Sequence, residues 1–420
     1  MRRAFIIAPN IGVFFGGGGG VKVALHMALA LLEHGFKVHL VALTGWDAVK
    51  LGKIHGINLS KFVREGRLVL NYAFRIKNDS KTLFSAISSP IIEMIEPSKT
   101  LLSLAIKYLS IYIKQLVREY LPDLVIFHDD VPKLDDKMFK HISKVVLYSH
   151  FPYAARSYFN IVDAVEVGLE RYSDWRMRHY HNALKNIIYF NSIPKEVELV
   201  ANSTVTKIFM EIIWRKKVKV LYPPILPKFN PTVNYKENSV VLVGGQPNKR
   251  VGDAIKALAK LKNLGKTVPK LHIVAYYFIP WYKDWLFNLT YRYGLQHSVY
   301  FIESIPESDL FNIYTTSKVI LSTARFEPFG MSVAEGMFHY AIPIVYKGVL
   351  SGPWIDIIDK GKYGIGFKSI DELTENINYV INAGEDELTE LQRKAFSGSQ
   401  RFSLNLFKEN FLKLVYCGTL

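Results

Sequence analysis

The sequence predicts an α/β protein built as two Rossmann-like halves joined near residue 230. Short apolar runs alternate with helical patterns in two successive series, one on each side of that point. Each series opens on a strand that runs into glycines, Gly16 to Gly20 in the first and Gly244-Gly245 in the second. Between the series lies YPPILPKFNPTVNYKENS, which holds four prolines and no hydrophobic period and so reads as a linker.

The first strand is RRAFIIAP, ended by Pro9. Its arginines and apolar run imitate the start of a secretion signal. Pro9, Asn10 and Gly12 break that run and no small-residue cleavage site follows, so a buried strand is the expectation. VKVALHMALALLEHG then predicts a helix closed by Gly35, and FKVHLVAL a second strand. Strand, helix and strand in close succession make a βαβ unit and imply a parallel sheet. DLVIFHD, KVVLYSH and VELVANS continue the series as strands that end in polar residues. His128, His150 and Asn202 therefore fall at carboxyl ends of strands, where open α/β sheets bind ligands. In the second half VVLVGG, KLHIVAY, SVYFIES, KVILSTA and AIPIVYK read as strands, and the final SLNLFKENFLKLVY is amphipathic.

Composition narrows the function. The chain has 420 residues, 49% of them apolar and 21% charged, ample for two cores. Cys417 is the only cysteine, which excludes a disulfide framework or a cysteine-ligated zinc and fits a reducing compartment. A net charge of +16 points to phosphorylated partners: nucleic acid, nucleotides or an anionic membrane surface. No run reaches the length of uncharged apolar sequence that a spanning helix needs. KTLLSLAIKYLSIYIKQLVREYLP places Lys107, Lys114 and Arg118 on one stripe of a helix. It reads either as a packed helix of the first half or as a basic amphipathic helix lying on a membrane.

Three stretches carry chemistry. Gly16 to Gly20 lead into a helix, where glycines permit close backbone approach and free N–H groups meet the positive dipole end; a flexible turn would need the same residues. VGGQPNKRVGDAIKALAKL repeats the theme, with Lys249 and Arg250 at the mouth of the following helix, able to pair with a pyrophosphate or to stand as solvated surface charge. In ARFEPFGMSVAEG, Gly330, Met331 and Ser332 open a helix whose N–H groups suit a phosphate. Glu327, just before it, suits sugar hydroxyls, and Glu335, two turns in, suits a ribose, because each carboxylate oxygen accepts twice. The set fits a nucleotide-sugar lying across a helix start. FHDDVPKLDD offers a rival: Asp129, Asp130, Asp135 and Asp136 near His128 could bind a divalent ion, although a polar loop is the plainer reading.

At this point the residues resemble a family. RFEPFGMSVAE is similar to the E-x7-E motif of the retaining GT-B glycosyltransferases of family 4, the glycosyl transferases group 1. GGGGVKVAL resembles that family's glycine loop and helix, VVLYSHFP the strand ending in its active-site histidine, and VANSTVTKI, VKVLYPPI and SGPWIDIID further segments in the same order. Within the family the motifs look closest to the branch that extends dolichol-linked oligosaccharide from GDP-mannose by α-1,2 linkage. Two departures stand out. Gly244, Gly245 and Gln246 occupy the region where many members carry an Arg about five residues before the lysine, and Val21 stands where many have Glu.

The resemblance implies an α/β GT-B fold, two Rossmann-like domains facing across a cleft. Its boundaries would be residues 1–225 on the acceptor side, 226–400 for the nucleotide-sugar and 401–420 as a helix packing back on the first domain. It implies transfer of a hexose, such as mannose, with retention and without a metal or cofactor, from a GDP- or UDP-linked donor to a glycan or lipid-linked acceptor. His150, Glu327 and Lys249 would be catalytic. Gly19, Gly20, Gln246, Lys249, Arg250, Phe329, Gly330, Met331, Ser332 and Glu335 would bind the donor. With the basic charge, this suggests a cytoplasmic protein peripheral on the inner face of the cell membrane, with no nucleic-acid partner. The alternatives are a soluble transferase acting on a free sugar and, in another class, a basic nucleic-acid-binding protein.

Overall fold

The computed structural model describes residues 1–8, 19–44, 52, 56–74, 99–129, 139–152, 193–225 and 236–416. In the first half, β1 (Arg3–Ile7), β2 (Lys37–Thr44), β3 (Leu68–Phe74), β4 (Leu124–His128), β5 (Lys144–Ser149), β6 (Val197–Ala201) and β7 (Val218–Val220) form a seven-stranded sheet in the order β3-β2-β1-β4-β5-β6-β7. In the second, β8 (Glu237–Val243), β9 (Lys270–Ala275), β10 (Val299–Glu303), β11 (Ser317–Ser322), β12 (Ile342–Tyr346) and β13 (Ile365–Phe367) form a six-stranded sheet in the order β10-β9-β8-β11-β12-β13. All neighbouring strands pair in parallel. The chain direction of winding reverses between β1 and β4 and again between β8 and β11, which makes those strand ends the natural ligand sites.

Alternation along each strand feeds two cores. Ala4 and Ile6 of β1 face one layer while Phe5 and Ile7 face the other. α1 (Gly19–Glu33) covers the first of these faces, and α2 (Ser60–Arg64) is a short turn of helix before β3. Gly35 ends α1 with φ of +84°, and the N–H groups of Gly35 and Phe36 return to the carbonyls of Leu32 and Leu31 at 3.2 and 3.0 Å. α3 (Lys99–Tyr120) and α4 (Thr204–Trp214) cover the opposite face, burying Leu109, Ile113, Leu116, Val117 and Met210. The inner side of α3 is thus a packed element of the first half, the first of the two readings of that segment. Among the described residues no helix is long and apolar enough to cross a membrane.

In the second half, α5 (Val251–Asn263), α6 (Pro280–Arg292) and α9 (Ile370–Asn382) pack on one face. α7 (Glu307–Thr316), α8 (Met331–Phe338) and α10 (Glu385–Ser399) pack on the other. α8 lies close on the sheet because Gly336 has no side chain; a Cβ there would stand 2.7 Å from Ile320. The last helix, α11 (Leu404–Tyr416), leaves this half and packs Phe407, Phe411, Leu414 and Val415 into the core beneath α1. The linker ends earlier than its composition suggests, since β8 already begins at Glu237. Lys236 explains the early start. Its ammonium donates to the carbonyls of Tyr314, Thr315, Ser317 and His339, holding the chain against the ends of α7 and α8.

Candidate active site

The carboxyl ends of β4, β5 and β6 bring His128, His150 and Asn202 together, as their strand-end positions predict. The Nε2 atoms of His128 and His150 lie 3.2 Å apart, and the Asn202 amide nitrogen is 3.5 Å from His150 Nδ1. Asp129, turned by a left-handed φ of +69°, accepts from the His150 backbone N–H at 2.9 Å. Thr206 fixes the other side of the residue, its hydroxyl donating to the His150 carbonyl at 2.9 Å. Burial, then the neighbouring His150, pulls His128 down to about 3, so His128 is a neutral ring. One imidazole N–H therefore donates to the other ring's lone pair.

Against this pair stands the first turn of α1. A Cβ on Gly20 would come 3.2 Å from His150 Nε2, so the helix start lies tight against the ring. Gly19 approaches the second half: a Cβ there would stand 2.5 Å from the Met331 sulfur. The N-termini of α1 and α8, one from each sheet, thus meet beside His150. Gly330 caps α8 in the left-handed region with φ of +93°, and a Cβ there would strike Pro353 Cγ at 2.6 Å.

The loop before α8 carries Glu327 on a pinned backbone. Its N–H donates to Leu350 and its carbonyl accepts from Gly352 at 2.7 Å. The Glu327 carboxylate forms an ion pair with Lys249, which extends from the short turn Pro247–Lys249 after β8. Gly244 makes room for that lysine, since a Cβ there would overlap its side chain at 2.4 Å. Thr323 secures the turn by donating to the Lys249 carbonyl at 2.6 Å. Of the predicted residues, His150, Gly19, Gly20, Lys249, Glu327, Gly330 and Met331 therefore fall into one connected group, with Ser332 in the same first turn of α8.

Other predicted residues have different surroundings. Arg250 is buried with a left-handed φ of +52°, and its Nε donates to Asp253 at 2.8 Å within the start of α5. This contact engages one nitrogen of the guanidinium at the helix start. Phe329 is buried between Tyr222 and Phe402, so its ring packs in the core. Gln246 is exposed ahead of the Lys249 turn. Gly16 to Gly18 lie outside the described residues, as do Asp130, Asp135 and Asp136 of the rival metal reading. His128, Asp129 and His150 do offer ligand atoms within 4.8 Å of one another.

The structure adds residues that motif reading passed over. Lys22 of α1 reaches Glu335 of α8 at 2.8 Å and Glu307 of α7 at 2.9 Å. Burial lowers the Lys22 ammonium, but the two carboxylates outweigh it and hold it above the usual lysine value. Asp356, in the one-turn π-helix Pro353–Ile357, accepts from the N–H and hydroxyl of Thr204 and from Tyr222. Burial pushes its carboxyl up, against the pull of those hydrogen bonds. A third tie is apolar: Phe151, Val205 and Phe326 form a small cluster shared by the two halves. A lysine flanked by buried apolar residues on α1 was the one available sign for Lys22.

Residues 228–396 match the family described as Glycosyl transferases group 1. Over 128 residues the chain is 29% identical to the GDP-Man:Man(3)GlcNAc(2)-PP-Dol alpha-1,2-mannosyltransferase of Dictyostelium discoideum, a match covering 30% of this chain. The chain spans a quarter of the length of that curated relative, 25%. Among solved structures it is similar to sucrose-phosphate synthase of Thermosynechococcus elongatus, with a TM-score of 0.70 and 13% identity over 99% of this chain and 98% of that one. HepE of Anabaena in complex with UDP-glucose gives a TM-score of 0.63 and 15% identity over 99% of this chain and 100% of that one. The fold is the two-domain GT-B fold that the motifs implied.

Proposed function

We propose that this chain, whose residues 228–396 match the glycosyl transferases group 1 family, is a retaining, metal-independent hexosyltransferase using a GDP- or UDP-linked sugar. The observation that carries the reading is the meeting of two helix N-termini, at Gly19 and Met331, beside His150 and the Lys249–Glu327 pair. A departing diphosphate needs positive charge that costs no reorganisation as it forms. The free N–H groups at 330–332 and the Lys249 ammonium supply it. Glu327, held by its pinned backbone, accepts from hydroxyls of the transferred sugar, and Glu335 from the ribose. His150 lies against Gly20 where the sugar's reacting carbon would sit, oriented by Asn202 and Thr206.

The named relatives support both donor classes: a GDP-Man enzyme by sequence and a UDP-glucose complex by fold. The acceptor is proposed to be a lipid-linked or membrane-associated glycan. α3 and α4, which cover the same face of the first sheet, turn Tyr108 and Ile111 and then Ile208 and Ile212 outward. Arg118, in the last turn of α3, and Arg215, at the end of α4, are exposed on the same two helices. Apolar side chains flanked by cations suit an anionic lipid surface. Lys107's side chain is outside the described residues, and Lys114 is half-buried.

Calorimetric titration with UDP and GDP tests the donor site, and binding of neither sinks the proposal. Flotation with vesicles containing phosphatidylserine tests the surface. Replacing Ile208 and Ile212 with Asp should release the protein, and unchanged flotation of that variant would remove α4 from the argument.

A further inference from the structure

We propose that Lys22 is a positioning residue of the donor site, holding the Glu335 carboxylate for the nucleoside's vicinal diol and tying that carboxylate to the first half of the molecule. The inference rests on the ribose role given to Glu335 above.

Lys22 sits on α1 among Val21, Val23, Ala24 and Leu25, all buried, and is itself 3% exposed. A lysine in such a place is costly unless its charge is matched and its hydrogen bonds are made. The match comes from the other half: Glu335 of α8 at 2.8 Å and Glu307 of α7 at 2.9 Å. These two carboxylates share one cation and would repel each other without it. Three helices therefore converge on a single ammonium group.

The direction of the contact matters. Lys22 engages Oε1 of Glu335, while the carboxylate's side chain retains 11% exposure. A carboxylate that accepts a diol must present an oxygen in a fixed plane, and a charge-assisted bond to the first oxygen sets that plane for the second. One helical turn earlier on both helices, Gly19 touches Met331. The same two helices thus carry the diphosphate-facing N-termini and, farther along, the pair that orients the ribose ligand. Lys22 touches neither the sugar nor the phosphates in this account and acts through Glu335.

The test compares UDP or GDP, whichever the wild type binds more tightly, with its 2′-deoxy analogue by calorimetry. The wild type should favour the intact diol by about tenfold, the scale of one hydrogen bond to a charged group. Lys22→Met should bind both nucleotides with nearly equal affinity, the loss falling on the diol-bearing ligand alone. Lys22→Arg should restore the preference. Lys22→Gln, which keeps a hydrogen-bonding side chain, gives the same readout where the methionine variant does not fold. A folded Lys22→Gln or Lys22→Met that keeps the wild-type preference overturns the inference while leaving the proposed function standing. A wild type that binds neither UDP nor GDP overturns both.

Discussion

Thr204 donates twice to Asp356: its backbone N–H lies 3.0 Å from Oδ2, and its hydroxyl meets Oδ1. The contact joins the first turn of α4 to the π-helical turn after β12, and so ties one sheet to the other. Tyr222, at the start of the linker, adds a third donor at 2.9 Å. Asp356→Ala leaves these half-buried donors without an acceptor, which should cost about 1–3 kcal/mol. Asp356→Asn keeps one accepting oxygen and should lose less. Urea titration followed by tryptophan fluorescence measures both; equal midpoints for wild type and the alanine variant would remove the tie from the stability of the molecule.

Glu327→Ala should abolish transfer in a folded protein. The carboxylate sits at the cleft on a loop whose backbone is held independently of its side chain. Losing its bonds to a sugar that carries developing charge should lower kcat by about 10²–10³-fold. Lys249→Met should fall similarly, since it removes the cation at the leaving diphosphate. Near-normal turnover by either folded variant contradicts the role given to it.

Transfer should proceed in EDTA. Lys249 and the N–H groups at the start of α8 provide the charge that a divalent ion supplies in metal-dependent enzymes. Loss of activity on chelation, restored by magnesium or manganese, would shift attention to His128, Asp129 and His150, whose ligand atoms lie within 4.8 Å.

Acid should weaken each half through one buried histidine. Burial and the neighbouring His150 pull His128 down to about 3; burial, then Lys236, pulls His339 down to about 4. Unfolded, both titrate near 6.5. Below that value the unfolded chain binds protons that the folded chain refuses, so stability falls as pH falls. The loss approaches about 1.4 kcal/mol per pH unit for each group in the window between the two values. Urea midpoints measured from pH 7.5 to 4.5 should decline accordingly. His128→Asn and His339→Asn should each flatten the decline of its own half, and a slope unaffected by either change would refute the assignment.

The sequence displayed most of the strands, because a fully buried parallel strand is a continuous apolar run that solvent-facing segments do not imitate. It hid β3, β7 and β13, since LVLNYAF contains an asparagine and the other two span only three residues each. The glycines at 19, 20 and 244 were legible as points of close approach, though what they approach was not. Arg250 and Phe329 show what the motif left open. Both stand beside motif residues, yet local backbone conformation and core packing point them elsewhere.

By itself the sequence determined two α/β halves and strand ends furnished with His128, His150, Lys249 and Glu327. Those features are local: periodicity, strand length and the residues that follow a strand are written within a few positions of one another. Only the tertiary structure decided that Glu335 shares Lys22 with Glu307, and that Asp356 accepts from the first turn of α4. Lys22 is separated from its partners by 285 and 313 residues, and Thr204 from Asp356 by 152. No local pattern encodes a charge pair over such separations. It exists because two independently built sheets present their ligand-bearing ends to each other, and a buried ammonium or carboxylate at that junction must find its counterpart across it.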